Sequence, residues 1–277
     1  MLKLQHLTKR FGTAPLFTDL CMEVDAPVVL WAPSGWGKTT LLRILMGLER
    51  PATGSVEGVG RVAAVFQEDR LCPQLNAVQN VTLVLPGSEN QYKEQIVSDF
   101  QQLGMDSAAL QLPARKLSGG QKRRVAIAGV MAMEPKILVL DEPAAGLDPE
   151  GRDTILSQIR NYHEQTGITV ILVSHSMEDI ARYANRVLVM SKAKVAMYDT
   201  VEKVFARAPE LLELGLSVPQ VTQVFLMLKA MGMEIDTDVY TVPYAVKTVL
   251  KAWNAKHPDK AVPLPQNHKN VQEGGAD

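Results

Sequence analysis

The segment Leu117-Ser-Gly-Gly-Gln121 is followed, twenty residues from its start, by Ile137-Leu-Val-Leu-Asp-Glu-Pro143. A Ser and two glycines ahead of a long helical pattern place backbone N–H groups at a helix N-terminus, where they can bind a phosphate. The second segment has the four apolar residues of a buried strand and then two acids. Together the two segments predict a nucleotide site in a fold of alternating strands and helices.

A second phosphate-binding loop comes earlier in the chain, with the sequence Ala32-Pro33-Ser34-Gly35-Trp36-Gly37-Lys38-Thr39-Thr40. We predict that Gly35 and Gly37 permit a tight turn that aims successive amides at the β-phosphate, and that Lys38 reaches β and γ oxygens. Thr39 is placed to ligate Mg²⁺. One ATP needs a phosphate cradle on each side of its γ-phosphate, so a chain with two separate cradles is predicted to complete its site by pairing with a second subunit.

Two residues of this loop are unusual. Ala32 stands where the usual pattern has Gly, and we expect it to be tolerated unless that position needs a positive φ. Trp36 is bulky for a position between glycines, and we expect it to point outward.

Candidate catalytic groups follow two of the predicted strands. At the end of Ile137 to Leu140, Asp141 can hold Mg²⁺ through water and Glu142 can orient or deprotonate the attacking water. His175 ends another strand, where it can contact the γ-phosphate. The other histidines, His6, His163, His257 and His268, are interpreted as surface or packing residues.

The order of apolar patterns indicates the fold class. Short runs with the length and β-branched content of buried strands are Val28 to Trp31, Val62 to Phe66, Ile137 to Leu140, and Thr169 to Val173. Helical patterns separate them, which predicts an α/β fold with a mostly parallel sheet, helices on both faces and ligands beyond the strand C-termini. A closing hairpin is predicted from Arg186 to Met190 and Lys194 to Tyr198.

A helical insertion and a second unit are also predicted. The strand pattern stops between Gln67 and Leu117, and Gln91 to Leu103 has the apolar stripe of a helix, which indicates a helical subdomain at about residues 68–130. Beyond residue 206, two further stripes are Val221, Val224, Phe225 and Leu228, and Val242, Val246, Val249, Leu250 and Trp253. We expect these helices to pack on each other and on a partner, or alternatively to cap the main domain. Residues 257–277 are predicted to be a disordered tail.

Composition narrows the possible partners. Lysine and arginine number 29 against 30 acids, so the net charge of -1 gives no global attraction to nucleic acid or anionic lipid. No apolar run approaches the ~20 residues that span a bilayer, and the N-terminus lacks the order of a signal peptide. We therefore expect a cytoplasmic chain with only local membrane contact. Cys21 and Cys72 lack a metal-like spacing and are interpreted as ordinary small residues.

These elements occur in the order typical of ATP-binding cassette (ABC) ATPases, which residues 1–206 resemble. The resemblance implies a P-loop NTPase cassette with antiparallel N-terminal strands, using ATP and Mg²⁺. It also implies that Phe11 stacks on adenine, that Gln67 senses Mg²⁺ and a membrane partner, and that Asp148 lies in a loop that crosses a dimer. Residues Leu117, Ser118, Gly119, Gly120 and Gln121 would then close over the ATP of a second subunit, identical or paralogous.

Two segments closely resemble the ATPases of energy-coupling factor transporters, which import vitamins or transition-metal ions through separate membrane subunits. The segments are Leu117 to Asp148 and Leu214-Gly-Leu-Ser-Val-Pro-Gln-Val-Thr-Gln223. The second is similar to the C-terminal extension that helps hold two such ATPases together, which implies a dimerisation extension at residues 207–256. The chain would then lie peripherally on the cytoplasmic face of the membrane.

Alternatives remain at this level. Val65 to Asn76 looks more like ATPases of nitrate, sulfonate or taurine importers. A soluble cassette protein is a second alternative, but the chain has no long coiled-coil insertion, no second cassette and no basic stripe for nucleic acid. Lys122-Arg123-Arg124 is interpreted as a short cluster on a solvated or phosphate-adjacent face. A P-loop kinase would have no use for Ser118 to Gln121.

Overall fold

The computed structural model describes residues 2–24, 26–33, 35–58, 60–87 and 89–264. Its strands are β1 (Leu2–Phe11), β2 (Ala14–Val24), β3 (Val28–Trp31), β4 (Thr53–Glu57), β5 (Val62–Val65), β6 (Ile137–Asp141), β7 (Thr169–Val173), β8 (Arg186–Ser191) and β9 (Lys194–Thr200). Its α-helices are α1 (Lys38–Leu45), α2 (Ala77–Thr82), α3 (Glu89–Gln102), α4 (Ser107–Leu110), α5 (Gly119–Met131), α6 (Pro149–Thr166), α7 (Met177–Tyr183), α8 (Val201–Ala206), α9 (Ala208–Glu213), α10 (Gln220–Ala230) and α11 (Val242–Lys256). Short 3₁₀ helices occur at Ala114–Lys116 and Pro258–Lys260.

Backbone contacts divide the chain into two compact units, Met1–Val204 and Phe205–Asp277. The first unit contains a six-stranded sheet in the order β5-β6-β7-β3-β8-β9, in which every pair is parallel except β8 and β9. It also contains an antiparallel sheet in the order β2-β1-β4. The predicted mostly parallel α/β fold is therefore confirmed.

Three parallel strands finish at the same edge of the large sheet. Val173, the last residue of β7, pairs with Leu30 of β3 on one side and with Asp141, the last residue of β6, on the other. Because β3, β6 and β7 end together, the chain segments that follow them leave the sheet side by side. This edge carries the loop after β3, the acids after β6 and His175 after β7.

The helical insertion has an apolar core of its own. It is formed by buried residues of α2 to α5, among them Val78, Ile96, Phe100, Leu110 and Val125. The helix predicted from Gln91 to Leu103 corresponds to α3. The predicted hairpin is also present, and β8 and β9 join through Lys192 and Ala193, whose φ values of 47° and 62° are those of a type I′ turn.

The second unit has a small core of Phe225, Val239 and Ala245. The Thr222 hydroxyl donates to the Val239 carbonyl at 2.6 Å. We predicted that the two helices pack on each other through their apolar stripes, and they do so only in part. Phe225 of α10 meets Ala245 of α11 in the core, whereas Val224 of the first stripe stays exposed, as do Val242, Val246, Val249 and Trp253 of the second.

The first part of the predicted disordered tail is ordered. Residues 257–264 were expected to be disordered, but Pro258–Lys260 forms a 3₁₀ helix and the Asn254 side chain exchanges two hydrogen bonds with the backbone of Val262, both at 2.8 Å. The rest of the predicted tail lies outside the described residues. Among the described helices, none combines the length and the hydropathy needed to cross a bilayer.

Candidate active site

The loop after β3 has the backbone conformation of a tight phosphate cradle. Gly35 and Gly37 adopt φ values of 83° and 85°, which L residues rarely reach. A Cβ on Gly37 would also lie 2.7 Å from Cγ of Leu16. Helix α1 begins at the next residue, so its first amides face the loop. Ser34, also predicted to bind phosphate, lies outside the described residues.

The two unusual loop residues are both accounted for. Ala32 is buried and is not among the described residues with positive φ, so the conformation that would have required Gly is absent there. Trp36 does not point outward as expected. It is half-buried and packs against the core cluster formed by α1 and strands of both sheets.

The first testable consequence concerns these loop positions. Ala32→Gly is expected to leave the ATP dissociation constant unchanged within about twofold, because the position contributes a carbonyl and needs no positive φ. The contrasting change Gly37→Ala introduces both a strained φ and a clash with Leu16, and is expected to weaken binding at least ~10-fold. Titration calorimetry with ATP distinguishes the two. Weaker binding in Ala32→Gly would contradict this account of the loop.

Lys38 is held at the centre of the site. Its ammonium donates to the carbonyl oxygens of Ala32 at 2.6 Å and Pro33 at 3.3 Å. Burial lowers the pKa of Lys38, and the nearby charges of Glu142 and Asp141 act in the opposite direction. The ammonium therefore lies within electrostatic reach of both acids.

Glu142 occupies a strained and desolvated position. Its φ is 51°, in the left-handed region that non-glycine residues rarely adopt. Its Oε1 is buried without a hydrogen-bond partner among the described atoms. Burial raises the pKa of Glu142 from 4.5 to about 6, and the backbone N–H of His175 partly offsets this rise. Burial also raises the pKa of the neighbouring Asp141. Such a desolvated carboxylate is a stronger base than one in water.

His175 completes the group. Its Nε2 lies 3.6 Å from Oε1 of Glu142. Burial and the charge of Lys38 lower the pKa of His175, which keeps the imidazole neutral near pH 7. The structure thus brings Lys38, Asp141, Glu142 and His175 together at one sheet edge.

The raised pKa of Glu142 predicts a pH-dependent cost in stability. Above pH 6 the carboxylate is charged in both the folded and the unfolded state, and burying that charge lowers the free energy of unfolding by ~2 kcal/mol. Between pH 6 and 4.5 this loss of stability disappears, because the folded protein takes up a proton at Glu142. Glu142→Gln is therefore expected to raise the melting temperature without nucleotide by roughly 4–8 °C at pH 8, and by less than half as much at pH 5. Glu164→Gln, on the exposed face of α6, is the control and should change neither value. Equal effects at the two pH values would refute the assignment.

The sequence analysis missed Arg123. We interpreted it as part of an exposed basic cluster, but it is 4% exposed. Its guanidinium donates to the carbonyls of Asp141, Glu142 and Pro143 at 2.7, 2.6 and 3.0 Å, and also to that of Phe66. An available signal was that Arg123 stands four residues before the buried Ile127, on the core-facing side of α5.

The segment predicted to close over a second ATP forms the N-terminus of α5. Leu117 is buried, while Ser118 and Gly119 are exposed. Ser118 and Gln121 form a capping box, in which the Gln121 N–H donates to Ser118 Oγ at 3.2 Å and the Ser118 N–H donates to Gln121 Oε1 at 2.9 Å. The first turn contains no acid, so the exposed amides of this helix face solvent in a setting that favours an anion.

The remaining predicted residues are exposed or half-buried. Phe11 ends β1 with 57% of its surface exposed and lies 5.3 Å from the Lys9 ammonium. Gln67 follows Phe66, whose carbonyl Arg123 holds. Asp148 caps α6 by accepting from the Gly151 N–H at 3.2 Å. Thr39 is exposed and Thr40 is half-buried in the first turn of α1.

Several known proteins are similar to this chain in sequence. A family model described as ABC transporter matches residues 18–145. The energy-coupling factor transporter ATP-binding protein EcfA2 of Clostridium perfringens is 38% identical over 244 residues, which cover 81% of this chain and 86% of the relative. The EcfA2 protein of Clostridium acetobutylicum is 36% identical over 281 residues, which cover 90% of this chain and 97% of the relative.

Two solved structures are similar as well. The dimeric structure of a post-hydrolysis state of an ATP-binding cassette bound to ADP and Pi has a TM-score of 0.66 and 26% identity, covering 73% of this chain and 99% of that one. The structure of cbiO1 from Clostridium perfringens, part of the ABC transporter complex cbiONQ, has a TM-score of 0.67 and 26% identity. The match covers 83% of this chain and 96% of that one.

Proposed function

Because the chain belongs to the ABC transporter family of ATP-binding proteins, we propose that it is the ATP-hydrolysing subunit of an energy-coupling factor importer. The observation that carries this proposal is its similarity to EcfA2 proteins over 86–97% of their length. The similarity includes the second unit, which the family model does not reach. The chain binds ATP as a member of this family.

We assign the residues of the site as follows. The amides of Gly35 to Thr40 and the Lys38 ammonium bind the β and γ phosphates, and Phe11 stacks on adenine. Glu142 takes the proton of the attacking water, and the neutral His175 holds that water in line. The raised pKa of Glu142 and its distance to His175 support these roles.

The same site is suited to Mg²⁺. The predicted donors, Thr39, Gln67 and Asp141, offer a hydroxyl, an amide and a carboxylate oxygen, which are the hard ligands that this ion prefers. The desolvated carboxylate of Asp141 is stabilised in its charged form by a nearby cation. When bound, the ion would neutralise phosphate charge during hydrolysis.

A second subunit is proposed to supply the other phosphate cradle. The exposed N-terminus of α5, with its capping box and basic first turn, supports this role for Ser118 to Gln121. Asp148, at the exposed start of α6, would lie in the loop between the two subunits. Both a homodimer and a paralogous pair fit the same facing motifs.

The exposed stripe of α11 supports a role for residues 207–256 in pairing. Val242, Val246, Val249 and Trp253 recur at one-turn spacing and are 43–66% exposed. Val246→Asp is expected to weaken ATP-dependent dimerisation of the Glu142→Gln protein, measured by light scattering. Leu48, an apolar residue of the first unit that is 61% exposed, provides the control variant Leu48→Asp. An unchanged dimer would exclude this role.

A groove beside Gln67 is proposed to receive a membrane partner. It lies between the segment after Phe66 and helices α2 and α5, and it is lined by Leu71, Leu83, Val84 and Met133. Leu83 and Val84 are 60% and 49% exposed, so an apolar surface is available there. The chain would thereby be held peripherally at the cytoplasmic face of the membrane.

An affinity pull-down tests the function. Glu142→Gln would be recovered from detergent-solubilised membranes with ATP and Mg²⁺, and the co-purifying chains identified by mass spectrometry. A small membrane scaffold with a separate substrate-binding membrane protein is the expected result, and Leu83→Asp should lose both. A two-chain permease with a periplasmic-type binding protein would indicate a nitrate or sulfonate importer instead, and the absence of any membrane partner would indicate a soluble cassette protein.

A further inference from the structure

A group of three potential metal ligands lies on the exposed face of the antiparallel sheet. It consists of His6 on β1 and of Asp19 and Cys21 on β2, and one ligand atom from each lies within 4.8 Å of the others. His6 Nδ1 is 2.6 Å from Asp19 Oδ1 and 3.7 Å from Cys21 Sγ. No residue of this group takes part in the proposed nucleotide site.

Two β-bulges bring these side chains to the same face. Residues 5 and 6 of β1 stand opposite Cys21 alone, and residues 18 and 19 of β2 stand opposite Thr8 alone, one bulge on each side of the pair Leu7 and Leu20. In a regular strand one exposed residue separates two buried residues, because side chains alternate between the two faces. A bulge inserts an extra residue between the two buried ones, so that two residues are exposed there instead of one. The bulges therefore add His6 and Asp19 to the exposed face that Cys21 already occupies.

The backbone at these bulges is irregular. His6 and Asp19 have φ values of 50° and 54°, in the left-handed region that non-glycine residues adopt uncommonly, His and Asp more often than most. Strand β4, on the other side of β1, accommodates the bulge at His6 through Gly54, because a Cβ at that position would lie 2.4 Å from the His6 carbonyl oxygen. Three strands thus depart from regular pairing at one place, and this place carries the ligand group.

The distance between His6 and Cys21 fits a tetrahedral metal ion. Zn–N of ~2.0 Å and Zn–S of ~2.3 Å at the tetrahedral angle separate the two ligand atoms by about 3.5 Å, close to the 3.7 Å between His6 Nδ1 and Cys21 Sγ. The 2.6 Å contact between His6 Nδ1 and Asp19 Oδ1 is a hydrogen bond, shorter than the ~3.4 Å between two ligand atoms of one ion, so the Asp19 side chain, which is 75% exposed, has to turn away from His6 when an ion binds. The backbone N–H of His6 also donates to Cys21 Sγ at 3.2 Å, which fixes the position of the sulfur beside the His6 ring.

We propose that His6, Asp19 and Cys21 form a binding site for one divalent transition-metal ion of the Zn²⁺ type, with the fourth position open to solvent. Thiolate and imidazole ligands favour Zn²⁺ or Co²⁺ over the hard ions Mg²⁺ and Ca²⁺, so this site differs in chemistry from the one beside ATP. On binding, the Cys21 thiol loses its proton to solvent, and the sulfur, nitrogen and carboxylate oxygen each donate a lone pair to the ion.

Titration with Co²⁺ alone tests the proposal, using the full chain under a non-thiol reductant and without nucleotide. A thiolate-to-metal absorption band is expected in the near ultraviolet, saturating at one equivalent. The chain has two cysteines, so the band can arise only from Cys21 or Cys72. Cys21→Ser should abolish it and Cys72→Ser should leave it unchanged.

Two further variants test the other ligands. His6→Gln and Asp19→Asn should retain a thiolate but weaken Co²⁺ binding at least ~10-fold each. His257→Gln, a change of the same kind in the second unit, should have no effect. The proposal is overturned if the wild-type chain gives no band, if the band persists in Cys21→Ser, or if His6→Gln and Asp19→Asn bind Co²⁺ as tightly as the wild type.

Discussion

Glu142→Gln is expected to lower the ATPase turnover number by ~10²–10⁴-fold while the protein still binds ATP. A positioned general base contributes about this factor, which corresponds to ~2.7–5.4 kcal/mol of the activation barrier. The amide has the same shape as the carboxylate but cannot accept a proton from water. Oε1 of Glu142 is buried 3.6 Å from Nε2 of His175, and we assign the neighbouring carboxylate, Asp141, to Mg²⁺.

Binding should survive because the phosphate contacts lie elsewhere. The loop glycines and Lys38 are unchanged, and removing the desolvated charge of Glu142 also removes repulsion toward the anionic nucleotide. Turnover would be measured by phosphate release and affinity by calorimetry on the same preparation. Glu164→Gln, exposed on α6, controls for loss of one acid. If turnover falls less than tenfold, the base is another group. If affinity falls with turnover, Glu142 serves mainly in binding.

The positions of the side chains at the strand ends could be predicted from sequence because they depend on local patterns. An apolar run of four residues fixes a buried strand, and the next residues must emerge at its end, so Asp141, Glu142 and His175 were assigned from their neighbours alone. The glycine positions of the loop were equally accessible, since a tight turn demands them. The parallel registers then bring these separate predictions to one edge.

Features that depend on long-range packing could not be predicted in this way. Arg123 resembles its basic neighbours in sequence, and only the packing of α5 against the ends of β5 and β6 buries it. The apolar stripe of α11 is periodic in sequence, but the residue of α11 that packs in the core is the smaller Ala245. His6 and Cys21 have no metal-like spacing because their proximity comes from strand pairing and two bulges.

Arg123→Met is expected to cause the largest loss of stability among single changes at this site, ~3–5 kcal/mol. Methionine keeps an apolar stem but has no donor, so the carbonyls of Phe66, Asp141, Glu142 and Pro143 all lose the same partner. A buried polar group left unpaired costs about 1–3 kcal/mol, and the losses are not additive because the turn relaxes. At ~2–4 °C per kcal/mol, the melting temperature should fall by roughly 6–20 °C. Arg115→Met, exposed in the same subdomain, should shift it little.

The same change should reduce catalysis beyond its effect on folding. Arg123 connects the backbone before Gln67 to the strained turn of Glu142, so its loss frees both the base and the segment that borders the proposed membrane groove. We therefore expect turnover to fall at least ~10-fold at a temperature where the variant remains folded, with ATP affinity nearly unchanged. Arg123→Lys keeps the charge but not the planar fork that reaches several carbonyls, and should recover only part of each loss. If Arg123→Met lowers the melting temperature but hydrolyses ATP at the wild-type rate, Arg123 stabilises the fold without positioning Glu142.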